Sequence, residues 1–354
     1  MKKRIDLKSL YKKSNIIIPF NARLLKKYTS IILFLISIVN FLDGASKPEK
    51  LSENHSNNTK YDLVIPLNNN DVNKFIYMLE NFKKFIKYDK IVVICPYEIK
   101  NFIANNSLIF IDENLLVPKK ELKNLFFELG IEKLNRVGWY EQQFLKMAYS
   151  RICKNEYYLI WDSDTFPIKP VNMFENNHPI FDMIKDYNSA YFVTLSRLIP
   201  NLRFSTMSYI SEHMIIKTEY MKNLLNEIES NSNIPGNLFW EKIIFSIDKN
   251  QIALSGFSEF ETYGSYVDTR FPKIYRHRKW YSKRDASVFF GNIENVNEND
   301  LIWLSKDYDA ISFENWNKFN KQYLEYVKNE KIQRKVRPKR FFKFFNRIKK
   351  NKNI

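Results

Sequence analysis

The sequence predicts an α/β protein built on a mixed, mostly parallel central sheet flanked by helices, with basic extensions at both ends. Three observations carry this expectation. From Tyr61 onward, short apolar runs alternate with segments of helical spacing, the pattern of strands joined by crossover helices. Tyr157-Tyr158-Leu159-Ile160-Trp161 has the length and apolar continuity of a buried strand. That run stops at Asp162-Ser163-Asp164, two carboxylates at i, i+2, and in open α/β sheets ligands bind just beyond the carboxyl ends of strands.

Residues 1–60 read as an extension. Ile31 to Leu42 is an apolar stretch with nine basic residues before it. It is shorter than the roughly 20 residues of a spanning helix. It suits a segment anchored to or lying on a bilayer better than a cleaved signal peptide, because the basic region is long and Asp43-Gly44-Ala45 is a poor cleavage site. Ser46 to Lys60 reads as a polar linker.

The folded body starts at Tyr61. Asp62 to Leu67 is a first strand. Apolar residues at 72, 75, 76, 79, 82, 85 and 86 give a helix over 71–87. Lys90 to Cys95 is a second strand, closed by Pro96. A short helix at 98–104, a strand at 107–111 and helices at 119–129 and 139–152 lead into the strand at 157–161. Beyond the carboxylates the pattern predicts strands at 190–195 and 213–217 and helices at 218–229 and 238–247. A partly helical aromatic, acidic segment follows at 257–267, then a strand at 273–275. The expected organisation is an extension over 1–60, one domain over 61–285 and a C-terminal segment over 286–354. Arg340 to Lys350 places Phe pairs among basic residues, a candidate membrane-surface helix.

Composition narrows the function. The net charge is +17, which by itself could indicate nucleic acid. Residues 1–28 carry +8 and residues 331–354 carry +11, so the body between them is left at −2. Basic ends interleaved with aromatics fit an anionic membrane surface, and a near-neutral body argues against nucleic acid. Only 7 glycines are present and no Gly-rich phosphate loop occurs. A phosphate must therefore be held by a metal, by basic side chains or by helix N-termini. Cys95 and Cys153 are expected as buried free thiols, and no Cys-x-x-Cys exists for a zinc ribbon.

Asp162 and Asp164 together can hold a hard divalent cation, Mn²⁺ or Mg²⁺, that also grips a diphosphate. On the helix before that strand, Gln142 and Lys146 are i, i+4 and share a face. An amide such as that of Gln142 or Gln143 can read a base or ribose, and the Lys146 ammonium can meet a phosphate. Glu212 and His213 precede a strand, and Glu259 and Glu261 stand among aromatics. Carboxylates and aromatic faces are the usual partners of a sugar, and a carboxylate near the reacting hydroxyl can serve as a general base. In Arg276-His277-Arg278, the His could complete a metal site and the arginines could neutralise a diphosphate.

Taken in order, these pieces resemble the GT-A class of nucleotide-sugar glycosyltransferases, and more closely a little-characterised bacterial family associated with surface polysaccharide loci. The resemblance covers Tyr61 to Tyr281. It rests on Val64-Ile65-Pro66-Leu67 with Asn68–Asp71, on Gly138-Trp139-Tyr140-Glu141-Gln142-Gln143-Phe144-Leu145-Lys146, on Tyr158 to Asp164, on Ser211-Glu212 and on Ser258 to Gly264. It implies a Rossmann-like half that binds a nucleotide sugar, with Pro66 to Asn68 against the nucleoside. Asp162 and Asp164 would hold the cation, His277 would be a late third ligand, and Glu212 and Glu259 would contact acceptor or donor sugar, one of them as base. The acceptor implied is a glycan or a lipid-linked glycan.

Two other readings use the same residues. A nucleotidyltransferase would normally carry a Gly- and basic-rich loop after the first strand, which Asn68-Asn69-Asn70-Asp71 does not supply. A non-catalytic membrane-tethered binding protein would keep its ligand without the two aspartates. For location, the short apolar segment favours peripheral attachment at the cytoplasmic face of the inner membrane, with a lumenal type II arrangement as the alternative.

Overall fold

The computed structural model describes residues 59–131, 134–314 and 317–351. Its strands are β1 (Tyr61–Pro66), β2 (Ile91–Cys95), β3 (Ile109–Asp112), β4 (Tyr157–Trp161), β5 (Thr165–Pro167), β6 (Phe174–Glu175), β7 (His178–Met183), β8 (His213–Lys217), β9 (Arg276–Lys279), β10 (Ser282–Lys283) and β11 (Ala310–Ser312). The central sheet has the order β3-β2-β1-β4-β8. The first four strands are parallel, and β8 lies antiparallel on β4. The register sets Val64 between Val92 and Ile160, and Trp161 opposite His213.

Helices cover the sheet, so β1, β2 and β4 are apolar and buried almost without interruption. Burying a Leu, Val or Ile side chain of this kind contributes about 1.5–3 kcal/mol. The helix Val72–Phe85 buries Phe75, Met78, Leu79 and Phe82, one face at helical spacing. Asp62 is the polar exception in β1. It is buried, and it accepts hydrogen bonds from the Tyr149 hydroxyl at 2.6 Å and from Asn155 Nδ2 at 2.8 Å, which offsets its desolvation. Cys95 and Cys153 are buried free thiols, as expected.

Because β1 to β4 run the same way, their carboxyl ends at Pro66, Cys95, Asp112 and Trp161 share one edge of the sheet. Two small sheets extend the structure. One has the order β6-β7-β9, the other β10-β11-β5. In the second, β11 pairs antiparallel with β5, which follows Asp164 directly. Residues 282–314 are thereby knitted to the end of β4.

Several expectations are corrected. Residues 190–195 are not a strand but lie in the helix Ser189–Leu198. Tyr, Phe, Val and Thr give this segment a strand-like composition. Asn188 nonetheless caps it by accepting the Ala190 amide at 3.1 Å, and Thr194, Leu195 and Leu198 pack inward. The strand expected at 107–111 is shifted to Ile109–Asp112. The strand expected at 273–275 lies instead at Arg276–Lys279, where β9 gains a parallel partner in β7. Helices Thr218–Glu229, Phe239–Ser246 and Glu259–Arg270 fall where expected.

The basic-aromatic end is helical over Pro338–Asn351, but its phenylalanines face the protein. Phe341, Phe342 and Phe345 are buried. Phe341 packs edge-on against Trp303 at 5.5 Å and Phe342 edge-on against Phe289 at 4.7 Å. These rings are therefore committed to the core and not to a bilayer. Among the described residues no helix is long and apolar enough to cross a membrane. The apolar stretch Ile31 to Leu42 lies outside the described residues.

Candidate active site

The end of β4 is fixed from three sides. The Trp161 ring stacks on His213 at 4.4 Å and meets Phe82 edge-on at 5.5 Å. Its indole nitrogen donates to the Thr165 carbonyl at 2.8 Å, which closes the turn carrying the two aspartates. The Asp162 amide donates to the Glu212 carbonyl at 2.9 Å, and the Phe313 amide donates to the Asp164 carbonyl at 2.9 Å.

Lys146 stands behind Asp162. The helix Val137–Ala148 buries most of its surface, and Lys146 is only 1% exposed. Its ammonium forms ion pairs with Asp162 and with Glu259, the latter at 2.6 Å. Burial alone would lower the Lys146 pKa, but the two carboxylates push it up, so it stays charged. Gln143, also buried, accepts the Glu259 amide at 3.2 Å through Oε1. Gln142 is half-buried. Lys146 and Gln143, expected to meet a ligand, are thus buried against Asp162 and Glu259.

Glu259 begins the helix Glu259–Arg270, which Ser258 caps. Burial raises its pKa, the Lys146 charge opposes the rise and Asp162 adds to it. Lys146 donates to its Oε1 at 2.6 Å, and the residue's own amide also helps to lower the carboxylate's pKa. Glu212 is engaged at both oxygens. Oε2 accepts the Trp280 indole N–H at 3.0 Å, and Oε1 accepts the Ser282 hydroxyl at 3.1 Å and pairs with Arg284 Nε at 3.2 Å. Its backbone is left-handed, with φ at 62°, a conformation that a non-glycine residue keeps only where its surroundings enforce it.

Asp164 faces Asp71 and Lys74. Its pKa is pushed up to about 7 by burial and by the charges of Asp162 and Asp71, while Lys74 and the Thr165 hydroxyl pull it down. Asn68 caps the turn after β1 and donates to Asp71 at 2.5 Å, and Lys74 pairs with Asp71 at 3.1 Å. Pro66 and Asn68 thus lie on the same strand-end edge as Asp162.

Residues 282–314 add groups that sequence reasoning missed. Arg284 meets Glu212 and, at 3.1 Å, Glu314. It is near enough to Asp162 for that carboxylate to raise its pKa. Burial pushes Glu314 up to about 7, against the pull of Arg284 and with the help of Asp164. No motif marks Arg284 or Glu314, because only the β11–β5 pairing brings them to β4.

His277 is not brought to the aspartates. It lies on β9, its Nε2 2.8 Å from Asp268, and among the described residues no three His, Cys, Asp or Glu side chains converge as a metal-binding group. Arg278 is likewise committed, with two 2.7 Å hydrogen bonds to Asp182. Asp182 also accepts His213 at 3.0 Å, and these two partners outweigh burial and hold its carboxyl below the usual range.

The acids Asp71, Asp162, Asp164, Glu212, Glu259 and Glu314 thus share this region with Lys74, Lys146 and Arg284. The shortfall of positive charge, felt most at Asp164, suits a divalent cation held by Asp162 and Asp164. Two carboxylates leave coordination places for phosphate oxygens and water.

Beside this cluster lies a cavity of about 350 Å³, lined among others by Asp186, Asn188, Tyr191, Ser208, Ile210 and Glu261. Burial pushes the Tyr191 phenol up, and the nearby Glu259 carboxylate adds to the shift.

A family model described as a family of unknown function, DUF6492, matches residues 58–323. No curated protein matches the chain in sequence. Among solved structures, mouse xyloside xylosyltransferase 1 in its apo form is 10% identical, with 74% of this chain and 100% of that chain covered and a TM-score of 0.37. The galactosyltransferase LgtC, in complex with donor and acceptor sugar analogs, is 8% identical over 78% of this chain and 100% of that one, with a TM-score of 0.37. The mannosyltransferase Ktr4p of S. cerevisiae in complex with GDP is 10% identical over 68% and 76%, with a TM-score of 0.37.

Proposed function

The chain belongs to the DUF6492 family, and we propose that it is a metal-dependent glycosyltransferase that moves a sugar from a nucleoside diphosphate donor to a hydroxyl of a glycan or lipid-linked acceptor. The observation that carries this reading is the carboxylate pair Asp162 and Asp164 at the carboxyl end of β4, backed by buried Lys146 and Glu259. An arrangement of acids short of positive charge, at the ligand edge of a mostly parallel sheet, suits a cation and a diphosphate together.

Asp162 and Asp164 would hold Mn²⁺ or Mg²⁺, which supplies charge neutralisation to the departing diphosphate. Lys146 orients both Asp162 and Glu259 by pairing with each. Arg284, anchored by Glu212 and Glu314, replaces the Arg276 to Arg278 segment as the side chain placed to meet the diphosphate. Pro66 and Asn68 border the nucleoside. Glu212, with both oxygens engaged, acts as a positioning residue. Glu259 would take the acceptor hydroxyl proton, the role required if the reaction inverts configuration. His277, paired with Asp268 on β9, is left out of the cation's ligand set. Attachment to a membrane surface would rest on the basic ends, which lie outside this chemistry.

Donor hydrolysis and donor binding by the full chain, measured across a panel of nucleotide sugars with Mn²⁺ and with chelator, test the reading. Metal-dependent turnover of one donor, lost in Asp162→Ala/Asp164→Ala, is the expected result. A folded protein that recognises no donor under either condition would return the choice to a nucleotidyltransferase or a non-catalytic binding protein.

A further inference from the structure

The cavity beside the carboxylate cluster has its own chemistry. Glu261 is 2% exposed, and its Oε1 accepts the Ser208 hydroxyl while Oε2 makes no hydrogen bond. Burial pushes its pKa up to about 7, so the unpaired oxygen is relieved either by the carboxyl's own proton or by a hydrogen-bond partner from outside the chain. Two other polar groups of the wall are already used. Asn188 caps the helix Ser189–Leu198 and donates to the Ser255 carbonyl at 3.3 Å, and Ser208 also accepts the Ile210 amide at 3.1 Å. The cavity offers the carboxyl of Glu261 and the exposed Asp186 carboxylate, whose Oδ1 accepts the Tyr187 amide at 2.8 Å and whose Oδ2 is 4.0 Å from Arg284, beside the hydroxyls of Tyr187, Ser189 and Tyr191.

The rim is aromatic. Tyr187, 72% exposed, stacks on Phe192 at 5.2 Å, and Phe192 meets the half-exposed Phe204 at 4.8 Å. Among the described residues no Lys or Arg lines the cavity, and Arg284 at its edge is already paired with Glu212 and Glu314, so a phosphate or a uronic acid would find little counter-charge. Carboxyl groups inside and exposed rings at the mouth suit a neutral polyol ring, with hydroxyls for the acids and a C–H face for the rings.

We propose that this cavity is the acceptor subsite and takes a neutral sugar ring whose hydroxyls exchange hydrogen bonds with the Glu261 carboxyl and the Asp186 carboxylate. The assignment rests on the glycosyltransferase reading for the word acceptor, and on the cavity alone for the sugar. Tyr191 links the two places, since it lines the cavity and feels the charge of Glu259. A hydroxyl of a ring seated here would approach the carboxylate proposed to take its proton.

Ligand-observed saturation-transfer NMR on the full chain, with p-nitrophenyl glycosides of glucose, galactose and N-acetylglucosamine, tests the proposal without requiring turnover. At least one glycoside should bind, and Glu261→Gln should weaken it about tenfold. Ser189→Trp, an exposed change at the rim, should block it while leaving the fold intact. Glycoside binding that survives both variants, or no binding of any glycoside to a folded protein, would overturn the proposal. Nucleotide-sugar binding is measured in parallel. Donors bound without glycosides would remove this cavity and leave the transferase reading. Glycosides bound through Glu261 without any donor would keep the cavity as a sugar site and remove the transferase reading.

Discussion

Asp162 hangs its backbone amide on the carbonyl of Glu212, 2.9 Å away, and Glu212 holds a left-handed backbone to receive it. The first aspartate is thus positioned by the strained residue at the start of β8 as well as by its own strand. Glu212 is clamped in turn by Trp280, Ser282 and Arg284. Replacing it should disturb the aspartates without any direct contact between Glu212 and a ligand. Glu212→Gln is expected to lower kcat for donor turnover at least tenfold with a smaller change in KM, read by steady-state kinetics. An unchanged kcat would show that the clamp is dispensable.

Among the described residues, Lys146 is the cation that pairs with both Asp162 and Glu259. Removing one member of a buried ion cluster leaves uncompensated charge, at about 3–5 kcal/mol. Lys146→Met should cost a loss of that size in urea denaturation. Adding Glu259→Leu in the same chain should restore part of it. A single variant as stable as the parent would show that water already reaches the ammonium.

Asp164→Asn should abolish metal-dependent turnover yet make the metal-free protein more stable above pH 7, because the charge it removes is held against burial, Asp162 and Asp71. Thermal unfolding with and without Mn²⁺ checks both halves. The parent should gain stability from Mn²⁺ and the variant should not. A stabilising response to Mn²⁺ in the variant would place the cation elsewhere.

Glu141 gives a pH prediction away from the cation. Burial pushes its pKa up to about 7, against the pull of Lys119, and its Oε1 makes no hydrogen bond. A carboxyl raised above its unfolded value favours folding while protonated, so its contribution is lost as pH rises from about 4.5 to about 7. The span is worth on the order of 3 kcal/mol at most. Glu141→Gln should flatten the fall in stability across this window, followed by denaturation at several pH values. A curve parallel to that of the parent would mean that Glu141 stays ionised.

Phe341→Ala should cost about 3–5 kcal/mol, the range for truncating a buried phenylalanine, because its ring packs on Trp303 and Phe289. Vesicle binding should fall only as far as unfolding accounts for, since the ring is buried in the protein. Loss of vesicle binding by a fully folded variant would restore the bilayer role.

The sheet and the two aspartates were legible because one physical cause produced both signals. A strand covered on both faces must be apolar throughout, and the abrupt change to carboxylates marks where that cover ends. Residues 190–195 were misread because β-branched and aromatic side chains resemble a strand until a cap and inward packing decide for a helix. Lys146 was found but its setting was not, since i, i+4 spacing locates a face without saying what covers it. Arg284 and Glu314 left no trace in the sequence, because their place depends on β11 lying beside β5. His277 was expected from its metal-binding side chain and the family resemblance, and β9 carries it to Asp268.

The β11–β5 pairing also sets a timetable. Asp164 leaves the ribosome early, but the amide that grips its carbonyl belongs to Phe313. Everything between them must be translated before the turn can be locked. Until then the nascent chain holds a cluster of like-charged acids with Arg284 and Glu314 still unmade or unplaced. A partly made chain thus has no finished acidic centre, and the arrangement around Asp164 is completed as a late event in synthesis, when the segment around residue 313 docks.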